Sequence, residues 1–414
     1  HQGSHIAVDT NPSAGSSAGY MDEVTGSFDI RDTDKSGLDY RGKGMARYVN
    51  KHHVQFAGSG EYYLKGGADS PENFLGYWEF DNTYDQGGNR DDAPLVSGLH
   101  HYAPHGIHYS ANDASVYTWQ GGKGKNILGA IKYLSDQGIN SIYFLTYNID
   151  GGDGQEVWPW VGNGADKLRY DCSKLEQWER VFCYMDKKGI QLHVILQESE
   201  NDQTLGGVSD LRRMLYHREL CARFSHHLNV TWNLGEENGN TDADRRGFCQ
   251  QIGQWDPYNH PRALHINDNK LGRYTTFYDE QVFEVASIQS HPASTNYDHA
   301  KTVVTLSAAQ GRPWVACEDE QNKEGAYTGN ADEMRKETLW GNLMGGGAGV
   351  EWYFAYRNSD FHDLKTEDLS TAAILWDHTR HALEFFRSGT GNGTVAPGHD
   401  SLELFCAHDR AHPG

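Results

Sequence analysis

The sequence predicts an α/β fold: a closed (β/α)8 TIM barrel with remnants of β-sandwich domains at both ends. Three observations carry this prediction. Eight short β-prone runs alternate with amphipathic helical stretches between residues 61 and 388. Several runs stop abruptly at carboxylates, which a parallel barrel delivers to a single rim. The 414 residues hold a barrel of roughly 250 residues or more, with length to spare for flanking segments. No GxGxxG or Walker pattern favours an open, doubly wound sheet.

The expected strands are Tyr62–Gly66, Ser141–Tyr147, Gln191–Gln197, Val230–Leu234, Ala263–Ile266, Val285–Gln289, Trp314–Cys317 and Val350–Phe354. Helical periodicity fills most of the gaps. Asn126–Gln137 repeats apolar residues at i, i+3 and i+4 and stops at Gly138; Ser173–Lys188 opens on a Ser cap with Glu three positions on. Ser209–His227 and Asp332–Leu343 are also amphipathic. The gap over residues 67–140 exceeds an ordinary βα loop, so it is expected to carry substrate-facing insertions.

Turn-rich sequence with short strand-like pieces precedes and follows this rhythm. Residues 1–58 read as the C-terminal part of a β-rich domain with its linker, 59–388 as the barrel, and 389–414 as the start of a C-terminal β-domain.

Composition narrows the partners. A formal charge of −21 argues against nucleic acid and anionic membrane surfaces, and fits poorly with sulfated or uronate-rich ligands. No apolar run approaches the ~20 residues needed to span a bilayer. Eleven Trp and 23 Tyr suit a protein that offers flat faces to sugar rings. The balance fits a secreted, extracellular or periplasmic protein; oligomeric state is not legible. Six cysteines would allow up to three bridges in an oxidising compartment. Cys172 and Cys183 share one predicted helix, about 16 Å apart at ~1.5 Å rise, and should not pair. Cys317 reads as a free, buried strand residue. Sequons stand at Asn229 and Asn392.

The strand ends bring candidate chemistry to the rim: Lys65 and Asp69, Asn148 and Asp150, Glu198 and Glu200, Glu236 to Asn238, His265 and Asn267, His291, Glu318 and Glu320, then Glu351 and Trp352. Val-Thr-Trp-Asn-Leu-Gly-Glu-Glu-Asn (residues 230–238) and Pro-Trp-Val-Ala-Cys-Glu-Asp-Glu (313–320) stand out, each an apolar strand ending in paired acids. Two carboxylates facing one another are what glycosidic bond cleavage requires.

These two strands resemble those of the clan A glycoside hydrolases, whose acid/base follows the fourth barrel strand and whose nucleophile follows the seventh. Trp-Asn-Leu-Gly-Glu-Glu-Asn is similar to the Trp-Ser-Leu-Gly-Asn-Glu pattern of the β-galactosidase-type branch. The stretches KGGADSPENFLGY, LTYNIDGGDGQEVWPW, DCSKLEQWERVF, LQESEND, LYHRELCARFSHHLNVTWNLGEEN and DPYNHP resemble secreted bacterial glycosidase-like proteins. Those carry an N-terminal β-sandwich, a barrel, and a C-terminal sandwich labelled as collagen-binding. The resemblance implies Glu237 as general acid/base and Glu318 as nucleophile, in a retaining double displacement on a poly- or oligosaccharide. Glu236 occupies the place where the superfamily has an Asn that holds the sugar 2-hydroxyl. Strand alternation should let only one of Glu236 and Glu237 point inward, so Glu236 is the alternative acid if the register is off by one. Glu320 and then Glu351 are the alternative nucleophiles. His291 is expected to hydrogen-bond the sugar and Trp352 to stack on it. Asn148, Asp150 and Glu198 are expected to hold hydroxyls.

Other signals have competing readings. His105, with His100, His101 and His108, could line the cleft through the long first loop; the cluster lacks the HExxH arrangement of a zinc hydrolase, so no catalytic metal is expected. His226 and His227, before the fourth strand, read as structural. The acidic loops Asp81–Asp85 with Asp91 and Asp92, and Asp150–Gly154, could hold a structural calcium but fit turns better. Trp158 and Trp160 read equally as a stacking platform or as a wedge closing the barrel top. No cofactor is expected. The alternative function, from another class, is a catalytically silent carbohydrate-binding or matrix protein on the same barrel.

Overall fold

The computed structural model of the chain describes residues 24–388, apart from 28, 30, 87–97, 153, 268–269 and 322–324. The expected C-terminal β-domain, Cys406, the Asn392 sequon, and Asp91, Asp92 and Asp153 lie outside the described residues. Eight strands close into an all-parallel barrel: β3 (Lys65–Ala68), β4 (Ser141–Leu145), β5 (Gln191–Ile195), β6 (Val230–Asn233), β7 (Arg262–Ile266), β8 (Val285–Gln289), β9 (Val315–Glu320) and β10 (Gly349–Trp352), which pairs back onto β3. The fold is a (β/α)8 TIM barrel. The first strand begins at Lys65, three residues later than expected, and β9 continues through Glu320.

Helices Lys125–Asp136, Cys172–Lys188, Leu211–Phe224, Asp242–Trp255, Asn296–Ala309 and Ala373–Ser388 cover the strands. The cap of Cys172–Lys188 is Asp171, whose carboxylate accepts the amides of Ser173 and Lys174 (both 3.1 Å); the expected Ser173 lies one residue inside. Gly189, with φ 68°, ends that helix, a left-handed position that favours glycine.

Alternation sorts each strand's residues. Ile142, Phe144, Leu192, Val194, Trp232, Leu264, Ile288 and Ala316 pack in the shell beneath the helices. Ala263, Val285, Val315 and Cys317 face the interior at the N-terminal end of the barrel. There they meet Ala46, Val54 and Phe56 from a short antiparallel hairpin, β1 (Ala46–Tyr48) and β2 (Val54–Phe56). The hairpin and its neighbours are tied to residues that precede the strands. The Ala46 amide donates to Leu228 O (2.7 Å), the Tyr48 hydroxyl to Pro313 O (2.8 Å) and the Tyr63 hydroxyl to Asn140 O (2.7 Å). The segment expected to end a separate domain thus plugs the bottom of the barrel. The opposite, C-terminal rim is where polar side chains gather.

No disulfide is present among the described residues; Cys172, Cys183, Cys221, Cys249 and Cys317 are free thiols, and Cys317 is buried as expected. No described helix is long and apolar enough to cross a membrane.

Candidate active site

Strand β6 ends one residue before its apolar run does. Asn233 faces inward and its Nδ2 lies 3.1 Å from His193 Nε2. The chain then turns. Gly235 adopts φ 144°, and a Cβ there would stand 2.6 Å from Gln197 O, so only glycine lets β6 approach β5 this closely. The Glu236 amide donates to that same carbonyl (2.9 Å), and Glu237 follows at φ 43°, a left-handed conformation costly for a non-glycine residue. The turn abolishes strand alternation. Both carboxylates of the doublet therefore reach the rim's centre, where the sequence reading admitted only one.

Strand β9 breaks its own alternation. Cys317 and Asp319 face inward, while Glu318 pairs in register with Ile288 on the outer side. A register shift then pairs Glu320 with the inward-facing Gln289. This bulge lets two consecutive residues, Asp319 and Glu320, face the interior. Glu318 is directed instead beneath helix Asn296–Ala309. Its oxygens accept the Ser290 amide (3.0 Å) and hydroxyl (2.7 Å), and Ser290 Oγ lies 2.8 Å from His299 Nδ1. The carboxylate that faces the doublet belongs to Glu320, not Glu318.

Gln289 joins the two sides. Its Nε2 donates to Glu237 Oε1 (3.0 Å) and to Glu320 Oε1 (2.6 Å), which keeps those oxygens within about 5.6 Å of each other. Donor oxygens of Glu72, Glu236 and Glu320 lie within 4.8 Å of one another. His265 Nε2 stands 3.3 Å from Glu320 Oε2. Burial first, then Glu320, raises the Glu237 carboxyl above the ordinary glutamate range, with the Gln289 hydrogen bond opposing. Glu236 rises well above it through burial and the charges of Glu320, Glu198, Glu237 and Asp69. Glu72 and Asp69 are raised in the same way, by burial and then by neighbouring acids, Asp363 first. Three such oxygens could surround a cation, while burial and neighbouring acids favour the protonated forms of Glu72 and Glu236. Both Asp69 oxygens and Glu236 Oε2 are buried with no hydrogen-bond partner. Within a sealed core that would be a large penalty; at a rim it leaves acceptors for a hydroxyl-rich ligand.

Beneath this cluster lies an ionic floor. Lys65 Nζ donates to Asp319 Oδ1 (2.5 Å) and Glu351 Oε2 (3.0 Å), His193 Nδ1 lies 2.7 Å from Glu351 Oε2, and Ser141 Oγ also donates to Glu351. Burial opposes ionisation of Glu351, but Lys65 and His193 outweigh it and hold the carboxyl at about 2. Gly67 makes room, since a Cβ there would stand 2.5 Å from Glu351 Cγ. Glu351 is thus locked in an ion pair and is not a free nucleophile. Lys65→Met should cost about 3–5 kcal/mol, because it strands two buried carboxylates. Denaturant unfolding checks this, and the loss should shrink at low pH, where Glu351 can take up a proton.

Other expected site residues are placed elsewhere. Trp352 alternates with the inward Glu351, so it faces outward, wholly buried, with Nε1 donating to Thr379 Oγ1 (2.7 Å); it offers no ring to a sugar. Trp158 is also buried, its Nε1 donating to Gly162 O (2.6 Å) and Lys174 Nζ standing 4.4 Å from a ring centroid, so it offers no open stacking face. His105 lies behind the barrel against Tyr133, its Nε2 accepting the Leu369 amide (2.9 Å), and burial lowers it to about 4. Its predecessor in the cluster, His100, is held by Asn73 and Glu367. Asn148 is buried and accepts the Val157 amide (2.8 Å), so it shapes its loop. Asp150 pairs with Lys167 (2.6 Å). Asp81 accepts from Gln120 and from Ser173 at the start of helix Cys172–Lys188, which ties its loop to both segments. Glu198 is buried just beyond β5, where its charge helps raise the Glu236 carboxyl; His291 is half-buried just beyond β8.

Glu72, Gln289, Tyr143 and Tyr353 were not singled out. Tyr143 is buried on the interior face of β4 and Tyr353 beside Glu72 and Glu320. Gln289 had a signal, as the last residue of a correctly bounded strand. Glu72 lies in the loop after β3, where no periodicity points inward.

No protein-family model matches the chain, and no curated protein matches its sequence. Solved structures do. A proposed glycoside hydrolase from Bacteroides vulgatus matches with a TM-score of 0.57 at 15% identity, over 85% of this chain and 62% of that one. The fold is one that glycoside hydrolases use. A family 5 glycoside hydrolase from the same organism matches with a TM-score of 0.50 at 13% identity, over 77% and 63%. A family 5 mannosidase from Rhizomucor miehei matches with a TM-score of 0.50 at 11% identity, over 82% and 98%. The chain thus spans less than two thirds of either Bacteroides structure. At such identities the likeness is one of fold, and function must be argued from the site.

Proposed function

We propose that the chain is a glycoside hydrolase cleaving a poly- or oligosaccharide with retention, Glu320 serving as nucleophile and Glu237 as general acid/base. The observation that carries this reading is the Gln289 bridge, which holds the two carboxylate oxygens within about 5.6 Å. Retaining enzymes place their carboxyls about 5–5.5 Å apart and inverting ones about 6.5–9.5 Å. Glu320 attacks the anomeric carbon as Glu237 gives its proton to the departing oxygen. A water then displaces the sugar from Glu320, losing its proton to Glu237. The electrostatics suit both halves. Burial and then Glu320's charge favour a protonated Glu237 at first; esterification removes that charge, so Glu237 becomes better able to accept a proton.

Glu236 then has a role in its neutral form. A protonated carboxyl offers a hydroxyl donor, as the expected Asn amide would, toward a ring hydroxyl. Glu236→Gln should keep activity within about tenfold, whereas Glu236→Ala should lower kcat/KM by about 10²-fold, the worth of 2–3 kcal/mol. Parallel kinetics on the two variants decide this. Ring hydroxyls would also satisfy the unpaired oxygens of Asp69 and Glu236, and a pocket so rich in acids favours neutral over uronate sugars. Reducing-end assays on mannans, glucans, galactans and arabinoxylans test the reading, with proton NMR of the first-formed anomer. Retention on a neutral glycan supports it. Inversion refutes the mechanism, and binding without cleavage of any glycan points to a silent carbohydrate-binding protein.

A further inference from the structure

On the far side of the barrel, four side chains from two elements converge. Glu179 and Cys183 stand one turn apart on helix Cys172–Lys188. His226 and His227 follow helix Leu211–Phe224, just before β6. Donor atoms of all four lie within 4.8 Å of one another. His226 Nε2 is 3.0 Å and His227 Nε2 3.1 Å from the two oxygens of Glu179, and Cys183 Sγ is 3.2 Å from Oε1.

The outward-facing ring nitrogens are fixed as well. His226 Nδ1 lies 2.9 Å from Arg223 O, which can only accept, so Nδ1 carries the proton. His227 Nδ1 lies 2.8 Å from Asp186 Oδ2, and the other Asp186 oxygen accepts the Leu228 amide (3.2 Å). Once each Nε2 gives up its proton in favour of a metal, its lone pair points at the cluster. Carboxylate and carbonyl partners of this kind orient metal-binding histidines.

We propose that Glu179, Cys183, His226 and His227 form a zinc site that staples the second barrel helix to the turn entering β6. The donor set is a thiolate, two imidazoles and a carboxylate, the ligands zinc takes in tetrahedral sites. Tetrahedral bonds of about 2.0–2.3 Å set ligand atoms roughly 3.3–3.7 Å apart. The three contacts to Glu179, 3.0 to 3.2 Å, need to open by only a few tenths of an ångström. Without a cation the same contacts demand a proton on each Nε2 and on the thiol; zinc replaces three protons with one ion. The site lies at the barrel's N-terminal side, remote from the rim, so its role is to hold the fold. Four protein ligands leave no open position for substrate.

Two measurements test this on the whole chain. After incubation with zinc and gel filtration, elemental analysis should find about one zinc per chain, falling below about 0.2 in Cys183→Ser and in His226→Ala. His226 is exposed, so its loss should not prevent folding. Zinc at a hundredfold excess over its Kd should raise the wild-type Tm by about 3 °C and leave the variants unmoved. Independently of any variant, zinc should slow alkylation of Cys183 at least tenfold while leaving the exposed Cys172 unprotected, as read by peptide mass spectrometry. Zinc-free wild type, variants that keep the metal, or equal protection of both cysteines would each overturn the site.

Discussion

Glu320→Gln is expected to lower kcat by on the order of 10⁴-fold or more, with little change in Tm, because an amide cannot form the glycosyl ester. Glu318→Ala should do the reverse. It leaves the Ser290 amide and hydroxyl buried without their acceptor, a loss of about 1–3 kcal/mol, while kcat stays within tenfold. The contrast separates the two acids at the end of β9 in one experiment: steady-state kinetics and thermal melts on both variants. A 2-deoxy-2-fluoro glycoside with a good leaving group gives the same answer chemically. The trapped sugar should be found on the peptide at Glu320. Label on Glu318, or loss of turnover only in Glu318→Ala, would reassign the nucleophile.

Removing the acid should have the second largest effect. Glu237→Gln is expected to lower kcat/KM by about 10²–10⁴-fold on natural glycans, and far less on aryl glycosides whose leaving group needs no proton. The pH profile supplies a further signature. Burial and Glu320 raise the Glu237 carboxyl, so the protonated, active form persists above the ordinary glutamate range and activity falls as pH rises through that raised value. The alkaline limb should therefore belong to Glu237 and vanish in the variant assayed on an aryl glycoside. A limb that survives Glu237→Gln unchanged, together with activity lost in Glu236→Gln, would make Glu236 the acid.

Much of the architecture was legible in the chain. The run Val285–Gln289 forms the strand its sequence outlines, and Ser141, Gln191 and Val230 each begin one, because β-branched and aromatic residues bounded by turn formers can do little else. The first strand was harder: KGGA has no apolar alternation, since Gly66 and Gly67 are chosen for what they leave out. A Cβ at Gly66 would strike Thr379, and one at Gly67 would strike Glu351. Trp352 departs from the expected stacking role for a related reason. Aromatics near a rim suggest stacking, but which face a strand residue occupies depends on its neighbour, here the inward Glu351 bound to Lys65.

The sequence alone determined that acids end the fourth and seventh barrel strands and that the chain closes into a barrel, because local composition and spacing decide both. Which acids meet was decided by tertiary structure. Glu318 and Glu320 have the same parity, so strand alternation cannot choose between them. The register shift against β8 sends Glu318 under the helices to Ser290 and Glu320 inward to Gln289. Likewise the left-handed turn at Glu237 brings both members of the doublet to Glu320. Bulges and strained turns are set by pairing with distant segments, and those partners adjoin only once the barrel has closed.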